Sequence, residues 1–283
     1  MKKIALITLG LLGCYTASMA ADLSWDDGYA PDSRIDRSAN WDADGLPDLA
    51  SGNTGTVGTG FTTENWTGYQ FTGMNITYTG DSSLTSAGNA RPSGGASITF
   101  NDTSSFTSSR LYLGYASGGG AFTFNDNSTG TISSHLAFGW TAGTPSSGTL
   151  NLGGNALINT DRLELRSPGV ALVHHLTLAD SSSLIVTGTP FADANQTLIV
   201  NFEQADNEFT PSWLIDESRS HDFSYVQYQI NGVATTLLDA RFVLTEGVGG
   251  FDTLQLSTIP EPSTYALFGG LLALGSVMIR RRR

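Results

Sequence analysis

Few residues in this 283-residue chain have the spacing that chemistry needs. The best metal candidate is Asn40-x-Asp42-x-Asp44-Gly45, with the first, third, fifth and glycine-6 spacing of a calcium loop. Asp48 stands at position 9, where a water-bridged oxygen serves, but position 12 is Ser51 and not the bidentate Glu. A polar turn or cap has the same composition. The expectation is therefore no cofactor, with Ca2+ at Asn40, Asp42, Asp44 and Asp48 as the alternative.

Catalysis has less to stand on, and no enzyme is expected. The four histidines are His135, His174, His175 and His221. Serine is so frequent, 31 residues, that a Ser near a His carries no information, and no Gly-x-Ser-x-Gly elbow occurs. Asp216-Glu217 and Glu203/Asp206/Glu208 could serve as paired carboxylates for glycoside chemistry. They sit in polar, irregular stretches that read more simply as solvated loops. His174-His175 is expected at a strand edge. Tyr112, Tyr115 and Trp140 fall near expected corners, where they either form a sugar-stacking platform or pack between neighbouring turns of chain.

Charge excludes a further class. Residues 21–259 hold 8 arginines, no lysine and 25 acidic groups, a net of −17. Such a surface repels phosphate backbones, so nucleic acid is not an expected partner. It suits solubility outside the cell. The single cysteine, Cys14, leaves no disulfide or thiolate metal site for the folded part.

Both ends read as addresses. Lys2 and Lys3, the apolar Ile4 to Leu12, and Ser18-Met19-Ala20 have the order of a secretory signal peptide over residues 1–20, cleaved between Ala20 and Ala21. Leu11-Leu12-Gly13-Cys14 offers a second end-point, a lipidated Cys14. At the other end Pro260-Glu261-Pro262-Ser263-Thr264 precedes an apolar run, Tyr265 to Ile279, and the chain closes on Arg280, Arg281, Arg282 and Arg283. The run would make a helix of about 22 Å. A comfortable span needs about 20 residues, so this is a marginal anchor. The four arginines would hold it on the cytoplasmic side.

This tail resembles the PEP-CTERM sorting signal of Gram-negative bacteria, also known as the ice-binding protein C-terminal type. The resemblance covers about 24 residues and does not imply ice binding. It implies recognition by an exosortase, a membrane protease, after passage through the secretion translocon. Cleavage near Pro260–Thr264 would then deliver the protein to the cell envelope, surface or extracellular matrix, with exopolysaccharide as a candidate partner. A plain C-terminal membrane anchor is the alternative.

Something must fill the middle. Glycine, serine and threonine are abundant, charged residues are only 14%, and helix formers are sparse. A short apolar-x-apolar element recurs: Ile76/Tyr78, Ile98/Phe100, Phe122/Phe124, Leu150/Leu152, Leu176/Leu178 and Leu198/Val200. A turn of Asp, Asn, Gly or Ser follows each of the first five. A second apolar position often comes next, at Leu84, Phe106, Ile158 and Leu184. Three repeats add a third strand, at Leu111/Leu113, Leu136/Phe138 and Leu163/Leu165. Ile98, Phe100, Phe106, Arg110, Leu111 and Leu113 map at a constant offset of 52 onto Leu150, Leu152, Ile158, Arg162, Leu163 and Leu165.

One such unit cannot bury its apolar row alone, but stacked units can. The pattern predicts an all-β fold with a parallel β-solenoid, or β-helix, body; a β-sandwich is the alternative. Ser147-Gly148-Thr149-Leu150-Asn151-Leu152-Gly153-Gly154-Asn155-Ala156 also resembles the passenger repeats of autotransporter-like surface proteins. The expected divisions are signal peptide 1–20, N-terminal cap 21–72, solenoid 73–204, antiparallel β region 205–258 and sorting segment 259–283. Asn40-Trp41 through Leu46-Pro47 belongs to the cap, and Asn231-Gly232 predicts a hairpin in the antiparallel region. The expected role is structural or adhesive, with a polysaccharide-binding or polysaccharide-active β-helix as the alternative.

Overall fold

The computed structural model describes residues 22–26, 33–42, 46–47, 53–65, 70–140, 144–167, 169–188, 191–203, 212–216, 225–236, 239, 241–245 and 251–256. Among these the strands are β1 (Asp22–Ser24), β2 (Thr54–Val57), β3 (Thr62–Asn65), β4 (Gln70–Thr72), β5 (Asn75–Tyr78), β6 (Ser83–Ser93) and β7 (Ala96–Phe100). They continue as β8 (Ser105–Leu113), β9 (Gly120–Phe124), β10 (Thr129–Phe138), β11 (Gly148–Leu152), β12 (Leu157–Leu165), β13 (Leu172–Ala179) and β14 (Ser183–Val186). The last are β15 (Phe191–Ala192), β16 (Gln196–Glu203), β17 (Ser212–Asp216), β18 (Val226–Ile230), β19 (Val233–Thr235), β20 (Phe242–Thr245) and β21 (Phe251–Leu256).

The chain winds as a parallel β-solenoid of about six turns. One sheet stacks β1, β2, β5, β7, β9, β11, β13, β16 and β18 in parallel order. The facing sheet stacks β3, β6, β8, β10, β12, β14 and β17, also parallel. In the middle turns the second sheet's strands are long and bend onto a third side, where β4 and β15 pair with the distal halves of β6 and β12. Thus the second and third apolar positions of the repeat lie on one bent strand.

Ile76, Ile98, Phe122, Leu150 and Leu176 stand directly above one another and are fully buried. Tyr78, Phe100 and Phe124 form a stacked aromatic column, with ring centroids 4.8 and 4.7 Å apart and planes within 13°. The Tyr78 hydroxyl stays inside the rod because it meets Thr63 Oγ1 at 2.7 Å. Where the flanking turns carry Phe106 and Ile158, this turn carries Gly130. A Cβ there would lie 3.1 Å from Ile158 Cγ1 and 3.3 Å from Phe124 Cζ, so these two side chains already fill its space.

One feature of the repeat differs from the sequence reading. Val200/Phe202, not Leu198/Val200, stack on Leu176/Leu178; Leu198 pairs with His174. All three of Leu198, Val200 and Phe202 are buried on one face of β16, so the apolar row alone fits either register. The constant offset of 52 also has a structural cause. β6 and β10 each carry one extra residue at the bend, a bulge, between Ser86 and Asn89 and between Ile132 and His135. β8 and β12 lack it, so those two repeats superpose while their neighbours do not.

The corner after the first strand explains part of the acidity. Gly80, Asp102, Asp126, Gly154 and Asp180 all turn with φ between 55° and 63°. Asn and Asp tolerate this left-handed conformation better than other side chains. Asp81, Asp102, Asp126 and Asp180 then accept hydrogen bonds from the backbone N–H of Gly60, Gly80, Asp102 and Gly154 at 2.6 to 3.1 Å. Each carboxylate satisfies a donor in the turn before it, so these acids fasten the rod as well as solvate it. In the outward row Thr56, Thr77, Thr99, Thr123, Asn151, Thr177 and Asn201, five of seven positions are Thr: β-branched residues suit a pleated surface facing water.

At the N-terminal end Trp41 is buried against Trp25, ring centroids 5.2 Å apart, and its Nε1 donates to the Ile35 carbonyl. Gly55 occupies the position of Ile76 in the first turn, and a Cβ there would strike Trp41 and Pro47 at 2.7 Å. The indole and the proline thus fill the end of the core. At the other end the parallel stack runs on to Val226–Ile230 before reversing. Asn231-Gly232, with φ of 51° and 75°, makes the hairpin from β18 to β19. β21 adds to the second sheet antiparallel to β17, and β20 follows antiparallel to β21.

Candidate functional site

Two of the four sequence-derived calcium residues engage the fold. Asn40, buried in a single turn of 3-10 helix (Ser38–Asn40), donates its amide to the Arg34 carbonyl at 3.0 Å. Asp42 accepts from the Ser24 N–H at 2.7 Å. Asp44 and Asp48 lie outside the described residues. Among the described residues no group of three or more His, Cys, Asp or Glu is placed to hold a metal.

His174 and His175 sit in the interior of the first sheet, not at its edge, and strand alternation sends them to opposite sides. His175 is exposed. His174 is fully buried, accepts at Nδ1 from the Gly148 N–H at 3.1 Å, and meets Gln196 Oε1 at 3.2 Å through Nε2. The Gln196 amide passes on to the Ser167 and Val170 carbonyls. Both ring nitrogens are therefore used by a neutral imidazole, and burial lowers its pKa to about 4. Glu203 is exposed and accepts from Asn201; Asp206, Glu208, Glu217 and His221 lie outside the described residues.

The third side of the rod gathers half of the body's arginines. Along one outward row lie Asn89, Arg110, His135 and Arg162; along the next lie Gln70, Arg91, Tyr112, Ala137, Glu164 and Phe191. Successive members come from successive turns, about 4.8 Å apart. Arg166 follows β12. Four of the eight arginines of residues 21–259 thus share one face.

Glu164 is almost wholly buried there. It accepts from Arg166 Nε at 2.7 Å and Nη2 at 3.2 Å, with Arg162 Nη1 at 3.8 Å and His135 Nε2 at 3.4 Å. The bidentate fork fixes the Arg166 guanidinium in one plane. Burial lowers the His135 pKa; Glu164 opposes the shift, while Arg110, Arg162 and Arg166 add to it. Glu164→Gln should therefore move the His135 titration lower still, read by its ring protons in NMR. It should also cost about 1–2 kcal/mol, less than the 3–5 of a fully buried pair because Arg162 and Arg166 keep 44% and 33% of their side chains in water.

Beside this cluster stand the three aromatics singled out in the sequence. Tyr112 is buried, while Tyr115 and Trp140 are partly exposed. Trp140 packs on Tyr112 at 4.2 Å and lies nearly parallel to Tyr115 at 6.0 Å. The Arg91 guanidinium lies 4.5 Å from the Tyr115 ring centre. So one ring packs between turns and two partly face solvent. The arginine face was not foreseen. Its trace in the sequence is the match of Arg110 to Arg162, a cation kept at the same outward place in two repeats.

The residues that direct the protein lie at its ends. Ala20 and Ala21, Pro260 to Thr264, and Arg280 to Arg283 are outside the described residues. Residues 258–283 match the model of the PEP-CTERM protein-sorting motif. The chain carries an exosortase sorting signal. PEP-CTERM proteins are exported, and an exosortase, a membrane protease, sorts them to the cell surface. The matched segment begins at residue 258, just past Leu256, where β21, the last strand among the described residues, ends. No curated protein and no solved structure matches the chain. Among the described residues no helix is long and apolar enough to cross a membrane, and the apolar run Tyr265 to Ile279 lies outside them.

Proposed function

We propose that the protein is a rod displayed at the cell envelope or in the extracellular matrix, with a structural or adhesive role. The sorting motif at 258–283 carries this reading. Tyr265 to Ile279 holds the chain in the membrane for a time. Pro260 and Pro262 keep the segment extended for the protease. Cleavage near Pro260–Thr264 then frees the stacked body. The partly exposed Tyr115 and Trp140 favour a second reading, in which the rod also binds polysaccharide.

The test is the mass of the surface-displayed protein. Wild type should lack Arg280 to Arg283. Pro260→Ala with Pro262→Ala should leave most of the chains with an intact C-terminus in the membrane fraction. Intact C-terminal peptides in wild-type surface material would overturn the reading.

A further inference from the structure

We infer that the third side of the rod binds a linear, carboxylated polysaccharide laid along the solenoid axis, held by Arg110, Arg162 and Arg166 and bordered by Tyr115 and Trp140. The inference rests on the adhesive reading for its setting and names the partner of that surface.

Charge segregation is the first support. Residues 21–259 carry −17, yet four of their eight arginines gather on one face. Around His135 stand Arg110, Arg162 and Arg166 against the carboxylate of Glu164. Asp193, whose carboxylate caps the Ser167 N–H, is a further acid beside Arg166. Screening at physiological salt reaches about 8 Å, so a bound group senses this strip more than the distant acidic surface.

Placement is the second. Arg110 and Arg162 occupy one outward row two turns apart, about 10 Å, with His135 between them. A row parallel to the axis fits an extended polymer better than a compact anion. Arg110 has no ion-pair partner among the described residues. Glu164 engages the Nε and Nη2 edge of Arg166 and fixes its plane, which leaves the Nη1 side to donate to a ligand carboxylate.

The charge density of the ligand chooses between polymers. Duplex DNA has one charge per about 1.7 Å of axis and would feel the repulsion of the whole acidic body. A glycan with one carboxylate per sugar is far sparser. Its rings also offer apolar faces to Tyr115 and Trp140.

Titration of the purified full chain with polygalacturonate tests this, with dextran, polyglutamate and duplex DNA as comparison polymers. Polygalacturonate should bind, with affinity falling as salt rises, and each comparison polymer at least tenfold more weakly. Arg110→Gln with Arg162→Gln should weaken binding at least tenfold, and Trp140→Ala severalfold. Arg241→Gln, which breaks only the remote pair with Asp239, should leave affinity unchanged. An unaltered far-ultraviolet spectrum keeps the double variant interpretable. No binding by wild type, equal binding of any comparison polymer, or an indifferent double variant would overturn the inference. Tail processing is read separately by mass, so either conclusion can fail without the other.

Discussion

Phe100→Ala is expected to destabilise the rod by about 3–5 kcal/mol. Phe100 is fully buried in the centre of the aromatic column, stacked on Tyr78 below and Phe124 above, with Phe106 and Phe122 beside it at 5.8 and 5.9 Å. The truncation removes the ring from water-excluded packing and leaves a cavity between turns held by their backbone ladder, so the gap cannot collapse. In a stack, stability is close to a sum of turns and their interfaces. The loss therefore falls on two interfaces at once, and the unfolding transition in urea should move to lower concentration and broaden. Thr99→Ala, one residue away but on the outward row, should stay within about 0.5 kcal/mol. Equal effects of the two would contradict the inward and outward assignment of β7.

The second large effect is set by pH. His174 has a folded pKa of about 4 because it is buried, against an ordinary value near 6.5. Between these values the unfolded chain holds a proton that the folded chain refuses. Stability then rises with pH across the window and falls as pH drops from 6.5 to 4. Below 4 both states are protonated and this contribution is flat. The width of the window corresponds to about 3 kcal/mol. Carboxylates titrate near its lower edge, so the measurement is a comparison. His174→Leu loses its hydrogen bonds to Gly148 and Gln196 and is weaker at pH 7, but its stability should change less between pH 6.5 and 4 than that of wild type. Parallel pH curves from urea unfolding would sink the assignment.

How much of this was legible follows from which physics each element obeys. Ile98, Phe122 and Leu150 announce the stack in sequence because every turn must bury the same row, and burial is local enough to recur at near-constant intervals. Asp102, Asp126 and Asp180 were legible as turn residues, since few side chains accept a left-handed φ. That their carboxylates cap N–H groups in the preceding turn was not, because the partners are more than twenty residues away. Leu198 shows the limit of the apolar pattern: three buried residues alternate along β16, and only pairing with β13 and β18 fixes the register. The solenoid is also longer than its apolar repeat. Gly55 interrupts the row at one end, where Trp41 fills its place, and Val226, Tyr228 and Ile230 add a parallel turn after a stretch with no repeat.

The sequence by itself determined the destination and the kind of fold. A sorting signal is read as a linear segment, and a stacked core repeats its demand on every turn. Only the tertiary structure decided which outward residues share a surface. Arg91, Arg110, Arg162 and Arg166 are scattered over 76 positions. They meet because winding brings residues some 25 apart in the chain to about 4.8 Å in space, and that distance is a property of the stack, not of the chain.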